Sequence, residues 1–486
     1  MSADALFVAA TDTRLRNDLT LLVDEKIVLL PLNEWPLARQ DVAAAVAGID
    51  VADVEKPALR SALARVKAAT LRRADAAEWK LREVRLTAGQ PGLLRDDETM
   101  GRENAELTAV GGASTDRFGI TLAATGAVDA SDRKDWRFDG SSIAVRWGNW
   151  LLGVNQLDRS WGPGRDGSLI LSSNARPMPA VSLDRIRSLP VDLPVLRWLG
   201  PWRFSAFVGA GESHRADVDS PLFMGMRLSF KPAANFEFGL SRSAQFCGDG
   251  RRCDFATFGR MLIGQDNTGT RGLDDPDDEP GNQMSGLDLR IVSPLQAVPV
   301  AVYGQLIGED NSDASLPIRF MYLGGLESWW TLGNGSVLRA HVEHADTSTG
   351  WYKLFRPDDP TPGFGSDYGY RNHIFFAGYR YRGRNIGHTT DADSETTSME
   401  LSLTTDRGDR WAASARYGLL DRKGAPDAYN PLTQGRSRYR SLQVSWNGVL
   451  GGQDLGLQLG HESQSPAAAG GTDGVFGFVH WRRVLD

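Results

Sequence analysis

From about residue 103 onward, apolar and polar side chains alternate in runs of roughly ten residues, separated by short Gly/Asp/Asn turns. Met399, Leu401 and Leu403 are oily, while Glu400, Ser402 and Thr404 between them are polar. The scheme recurs at Met226-Arg227-Leu228-Ser229-Phe230-Lys231, Phe236-Glu237-Phe238-Gly239-Leu240-Ser241, Leu442-Gln443-Val444-Ser445-Trp446-Asn447 and Leu455-Gly456-Leu457-Gln458-Leu459. Successive Cβ atoms of a strand point to opposite faces, so this period predicts strands with one apolar face. Sustained over so long a stretch, it predicts an all-β fold, a transmembrane antiparallel β-barrel.

Some 18 or 19 candidate strands follow Trp79, and the even number required of a bacterial single-chain barrel selects about 18. Tight connections stand at Thr115-Asp116, Gly148-Asn149, Pro232 to Asn235, Ala297-Val298-Pro299, Gly333-Asn334-Gly335 and Gly451-Gly452. They alternate with long polar loops near 159–177, 247–285, 308–316, 347–372 and 421–438, the asymmetry of periplasmic turns against extracellular loops. The up-and-down count fails between 347 and 396, where one strand is either split or missed. A soluble β-propeller or solenoid also uses short alternating strands, but it repeats a sequence unit, and no such self-similarity is visible.

The first 78 residues follow a different period. Leu15, Leu19, Leu22 and Val23 recur at helical spacing, Pro31 and Pro36 bracket a turn, and Asp41 opens an alanine-rich run. Pro57 stands where a first-turn proline belongs, before Leu59, Leu63, Val66 and Leu71. The expected division is therefore residues 1–78 as a small periplasmic helical subdomain or plug, and 79–486 as the barrel with long extracellular loops. Met1-Ser2-Ala3-Asp4 has no basic n-region or apolar h-region, and the expectation is a mature chain behind an added initiator Met.

Composition alone resembles that of a soluble protein, with 24% charged residues and a mean hydropathy of -0.32. A barrel wall needs apolar residues only at alternate positions, so this does not argue against a membrane location. No run approaches the roughly 18 apolar residues a spanning helix requires. The 14 Trp and 10 Tyr would supply interfacial girdles. A net charge of -7 without a Lys/Arg-rich face excludes nucleic acid as the partner. The only cysteines, Cys247 and Cys253, flank a short glycine-containing loop and are expected to form a disulfide in an oxidising compartment, two free thiols or half a metal site being the other readings.

Two segments are too distinctive for generic wall. One is Asn149-Trp150-Leu-Leu-Gly-Val-Asn-Gln156 running into Trp161-Gly162-Pro163-Gly164-Arg-Asp-Gly167-Ser168 and on to Ser172-Ser-Asn174-Ala-Arg176-Pro177-Met-Pro179. The other is Gly264-Gln-Asp266-Asn267, followed by Glu279-Pro280-Gly281-Asn282-Gln283 and Gly286-Leu-Asp288-Leu-Arg290. With Leu19-x-x-Leu22-x-Asp24, Leu30-Pro31-Leu32-x-x-Trp35-Pro36 and Tyr379-Arg-Tyr-Arg-Gly383-Arg-x-Ile386-Gly387-His388, the chain resembles the capsule-assembly Wzi family from about residue 12 to its end. The resemblance implies an 18-stranded outer-membrane barrel with a periplasmic helical bundle. It also implies a lectin-like role, holding exported capsular polysaccharide or exopolysaccharide at the cell surface.

The residues themselves allow that role. A loop with Trp161, Arg165, Asn174 and Arg176 offers a stacking plane and planar donors and acceptors for sugar hydroxyls or carboxylates. The same Gly- and Pro-rich loop also reads as a rigid plug that ties down the barrel mouth. Asp266 and Asn267 of the second motif complete the set of polysaccharide-binding candidates. The acidic run Asp274 to Glu279 reads as a solvated loop rather than a calcium site, since it lacks EF-hand spacing. His341 and His344 lie on opposite faces of one strand, so no metal site is assigned, and no cofactor is implied.

No catalytic motif is present, and the chain is read as non-enzymatic. The arrangement left for a hydrolase would draw on His461, His480, Ser445 and Ser463 in the late strands. Against surface retention stands a porin or export channel with a polar lumen built from residues such as Arg227, Glu237, Arg339, Glu343, Glu400 and Arg416. A third reading has the N-terminal helices docking periplasmic polysaccharide-export proteins, with outer-membrane lipid and lipopolysaccharide around the barrel.

Overall fold

A computed structural model of the chain describes residues 6–71, 78–96, 100–262, 281–309, 319–349, 369–424, 427–466 and 473–485. Among these residues, eighteen strands close into one antiparallel barrel. They are β1 Lys80–Gln90, β2 Ala105–Ser114, β3 Phe118–Val128, β4 in two pieces at Trp136–Arg137 and Ser142–Trp147, β5 Trp150–Asn155, β6 Ala180–Arg185, β7 Trp202–Ala210, β8 Leu222–Ala233 and β9 Phe236–Phe246. The circuit continues with β10 Gly281–Val292, β11 Val300–Glu309, β12 Arg319–Thr331, β13 Val337–Asp346, β14 Glu395–Thr404, β15 Arg410–Leu420, β16 Ser437–Leu450, β17 Gln453–Ser465 and β18 Asp473–Val484. The first strand pairs with the last, Leu86 opposite Trp481, so the ladder has no free edge. Both pieces of β4 pair with β3, which makes them one strand interrupted by Phe138 to Ser141.

The period-two pattern sets the orientation of every wall residue. In β14, Met399 and Leu401 are exposed on the outside, while Ser398 and Ser402 are buried inside and Glu400 pairs with Arg410. Leu442, Val444, Leu457 and Leu459 likewise cover the outer surface. Exposed leucines in such number would be costly in water, and here they form the lipid-facing band.

Short turns and long loops sort to opposite ends, apart from the long β6–β7 connection 186–201 at the short-turn end. Gly451 and Gly452, with φ of +60 and +77°, make one of the tight turns, a backbone path that L side chains rarely follow. The miscounted region resolves as one connection: β13 pairs directly with β14, and among the described residues no wall strand lies between them. Its described part, 369–394, holds only the two-residue hairpin Arg380–Tyr381 with Arg384–Asn385. Its buried apolar side chains, among them Tyr370, Tyr379, Tyr381 and Ile386, pack inside the lumen rather than against lipid.

At the short-turn end lie three helices, α1 Thr13–Asp24, α2 Arg39–Ala47 and α3 Pro57–Thr70. Asp12 caps α1 by accepting the Leu15 N–H, and Pro57 occupies the first turn of α3, where its missing N–H costs nothing. Leu15, Leu19 and Leu22 pack with Val42, Val46, Leu59, Leu63 and Val66, and the cluster runs on to Trp329 and Val337 of the wall. Leu71 lies past the end of α3 and is exposed, so it does not join that face. The bundle is bolted to the turns: Lys26 Nζ donates to the Pro294 carbonyl at 3.0 Å, and Arg65 Nη1 donates to Asp406 O at 2.7 Å while forming a bidentate pair with Asp18.

Candidate functional site: the filled lumen and its outer face

A segment that folds into a barrel loses water from its backbone, and every N–H then needs a protein acceptor. Wall side chains supply them. Glu237 accepts the Leu32 and Asn33 amides at 2.9 and 2.7 Å. Glu343 accepts the amides of Arg165 and Asp166 at 2.7 and 3.0 Å, and the Tyr303 hydroxyl at 3.0 Å. Glu462 accepts the Leu93 amide and the Tyr439 hydroxyl. Gln305 accepts the Leu169 amide at 2.7 Å and donates to the Trp161 carbonyl at 2.8 Å. Charged acceptors make the stronger bonds, so the lumenal carboxylates act as clamps on the inward segments.

Residues 156–179 form the first of these segments. Ser160–Trp161 pairs with Glu34–Trp35 as a two-stranded ribbon inside the barrel. Beyond it the chain turns so tightly that a Cβ on Gly164 would lie 1.9 Å from the Gly167 carbonyl oxygen. Trp161 is 1% exposed and packs edge-on against Phe207 at 5.6 Å. Its indole therefore has no open face for a pyranose, and the stacking expected of it is spent inside the protein. Arg165 pairs with Glu327 through Nη2 at 2.6 Å. Asn174 is buried and donates to the Asn385 carbonyl at 2.9 Å. Arg176 makes a bidentate pair with Asp139 at 2.7 and 2.9 Å and bonds Asp132 as well. Burial works against the charge of Arg176, yet Asp139 and Asp132 outweigh it and hold the guanidinium above its ordinary range. All four side chains thus tie the loop down. Asp266 and Asn267 lie outside the described residues, as does the acidic run.

The second inward segment, 369–394, lies directly on the first. Tyr370 and Tyr379 stack with centroids 5.6 Å apart, and their hydroxyls donate to the Leu169 and Ile170 carbonyls. Ser172 N donates to Ile386 O at 2.9 Å. Arg380 grips Asp391 through two bonds of 2.8 and 2.9 Å and reaches Asp427 at 2.9 Å. Burial alone would raise the Asp391 carboxyl; Arg380 outweighs it and keeps that group below the usual range. His388 is fully enclosed, with its Nδ1 2.8 Å from Thr390 Oγ1. Burial, helped by the nearby Arg416, pushes it down to about 3, so the ring is neutral. Together the two segments fill the lumen beside β7 to β15. On the other side remains a charged cavity of about 340 Å³, lined by Arg85, Arg95, Arg102, Glu106, Arg137 and His480 among others.

The polar wall residues expected in the lumen, Arg227, Glu237, Arg339, Glu343 and Arg416, are all buried there, and Arg227 pairs with Asp288 at 2.6 Å. Cys247 and Cys253 are joined as a disulfide in the loop after β9, where Cys247 packs with Met224, Phe246 and Met261. His461 faces outward and lies 3.5 Å from Asp473, whereas His480 points inward to Thr87 Oγ1. Those histidines sit on opposite sides of the wall and share no serine.

The long-loop end presents what sequence reasoning missed. Phe376 and Tyr429 come from different loops, are both exposed, and meet with centroids 5.6 Å apart. Arg371 and Asp427 lie beside them, 3.7 Å from each other. Two aromatic faces rimmed by a guanidinium and a carboxylate can hold a ring with polar edges and apolar faces. No local signal marks Phe376 or Tyr429, because their partnership spans two loops.

The chain is similar to known proteins over nearly its whole length. The family model described as capsule assembly protein Wzi matches residues 89–465. A Klebsiella pneumoniae protein, described as an uncharacterized 55.8 kDa protein in the cps region, is 29% identical over 454 residues, covering 92% of this chain and 83% of that one. Among solved structures, the Escherichia coli Wzi, described as an outer membrane protein involved in group 1 capsule assembly and a carbohydrate-binding β-barrel, matches with a TM-score of 0.84. That match covers 99% of this chain and 100% of the other at 24% identity.

Proposed function

The chain belongs to the Wzi capsule-assembly family and is an outer-membrane β-barrel, and from that premise we infer that it binds exported capsular polysaccharide or exopolysaccharide and retains it at the cell surface without chemistry. The observation that carries this reading is the clamped pair of inward segments, which fill the lumen beside β7 to β15 and give the outer end a fixed surface. A porin needs a continuous aqueous path, whereas a binder needs a fixed platform. Phe376 and Tyr429 are that platform, with Arg371 and Asp427 meeting sugar hydroxyls or carboxylates at its rim. The described residues of the short-turn end, with the helical bundle, face the periplasm.

Capsule retention tests this in a deletion strain complemented with the wild-type chain or the F376A/Y429A double variant, scoring cell-bound against shed polymer. The double variant is expected to shed polymer, with purified protein binding it at least about tenfold more weakly, a loss of about 1.4 kcal/mol. Equal retention by both would remove the platform, and normal retention in the deletion strain itself would remove the binding reading altogether.

A further inference from the structure

Most turns at the periplasmic end are polar and short, but the connection between β6 and β7 is not. It starts tethered: Ser188 donates through N and Oγ to Asp41 Oδ1 of α2, at 2.9 and 3.1 Å. It ends sewn to the wall, with Lys231 N donating to Pro201 O at 2.9 Å and the short 3₁₀ turn Arg197–Leu199 packed against β8. Between these anchors Leu189, Leu193, Val195, Leu196 and Trp198 are all exposed, Val195 by 80% and Trp198 by 64%. Holding so many apolar groups in water is unfavourable by about 25 cal/mol for each Å². A segment pinned at both ends cannot hide them by folding back.

The neighbouring wall shows what they meet. By the alternation of their strands Trp147, Trp150 and Trp202 point away from the lumen, and Trp147 is 77% exposed. Arg185, also outward, lies over the Trp202 ring at 3.7 Å and the Trp150 ring at 6.0 Å. Tryptophans with an arginine laid along them mark the level of the lipid headgroups. The exposed apolar side chains of 189–198 continue this belt at the same end of the barrel; Arg187, 4.0 Å from Asp41, precedes them, and Arg197 stands among them, paired with Asp192 at 2.7 Å.

We propose that residues 189–199 form a membrane-surface anchor, lying in the inner leaflet of the outer membrane with Leu193, Val195 and Trp198 among phospholipid acyl chains and Arg187 and the Arg197–Asp192 pair at the headgroup level. Amphipathic segments of this kind bind at the boundary of headgroup and chain. The anchor would fix the height and tilt of the barrel, and with it the helical cap tied to Ser188.

The test uses the full-length protein, disulfide intact, in vesicles of phosphatidylethanolamine and phosphatidylglycerol. A polarity-sensitive fluorophore is placed at V195C or, for reference, at D116C in a polar turn of the same end. The Val195 site is expected to show blue-shifted emission, strong quenching by brominated lipid and little by iodide, with the Asp116 site showing the reverse. Water-like emission and iodide quenching at both sites would overturn the proposal and leave the patch to a periplasmic protein. Should V195C fail to show the heat-modifiable mobility of a folded barrel, L189C carries the label. There, adding V195E and W198E should remove the lipid quenching, and unchanged quenching would equally overturn the anchor.

Discussion

Glu343, on the inner wall of β13, accepts the backbone N–H of Arg165 at 2.7 Å, so a membrane-embedded carboxylate fixes the path of a loop 178 residues earlier in the chain. Replacing it with leucine leaves that amide and the Asp166 amide buried without an acceptor, at about 1–3 kcal/mol each. The E343L variant is expected to keep its barrel but to show transient ion-conducting openings in planar bilayers, the wild-type chain to stay silent, and E343Q to be intermediate. Silence from E343L would mean that Gln305 and the Arg165–Glu327 pair suffice to hold the segment.

Acid should loosen the same plug. The His388 ring titrates at about 3 when folded against an ordinary 6.5, so the unfolded segment binds the extra proton first. Its contribution is whole above pH 6.5 and declines as pH falls toward 3, at up to about 1.4 kcal/mol per unit. Protease sensitivity of residues 369–394 in wild-type protein is therefore expected to rise from neutral pH to pH 4. In H388N, which cannot be protonated, the rise should be markedly smaller.

Arg380 and Asp391 form a buried bidentate pair, and removing one partner strands the other charge. R380M is expected to destabilise the inward segment by about 3–5 kcal/mol. Limited proteolysis should then cut within 369–394 while the barrel keeps its heat-modifiable mobility. D391N should do less harm, because Asp427 still faces Arg380.

The Cys247–Cys253 bond closes a small ring, worth about 2 kcal/mol by chain-entropy arguments. Its reduction, or C247S/C253S, is expected to speed tryptic cleavage after Arg251 and Arg252 and to fray the neighbouring helix Phe255–Leu262. The thermal midpoint of the barrel should stay put, since the wall ladder does not depend on that loop.

The wall was legible because lipid outside and polar lumen inside impose a period on every strand, as Met399 to Thr404 display. Legibility failed where that division lapses. Tyr370, Phe375 and Tyr379 are as oily as wall residues but belong to a lumenal segment, and the strand count broke there. Phe138 to Ser141 interrupt β4, so the period lapses inside a single wall strand. For the site, residue type was a poor guide: Trp161 and Arg176 have sugar-binding chemistry, yet Phe207 and Asp139 already use it. Phe376 and Tyr429, from separate loops, become a pair only in three dimensions.

The seam between β1 and β18 has a bearing on biogenesis. Until β18 zips against β1, the wall is an open sheet with two sticky margins. The cargo of inward chain must be seated by then or threaded through an end afterwards. Shortening β18 by a few residues would thus do disproportionate harm, leaving a filled but gaping sheet prone to stick to its neighbours.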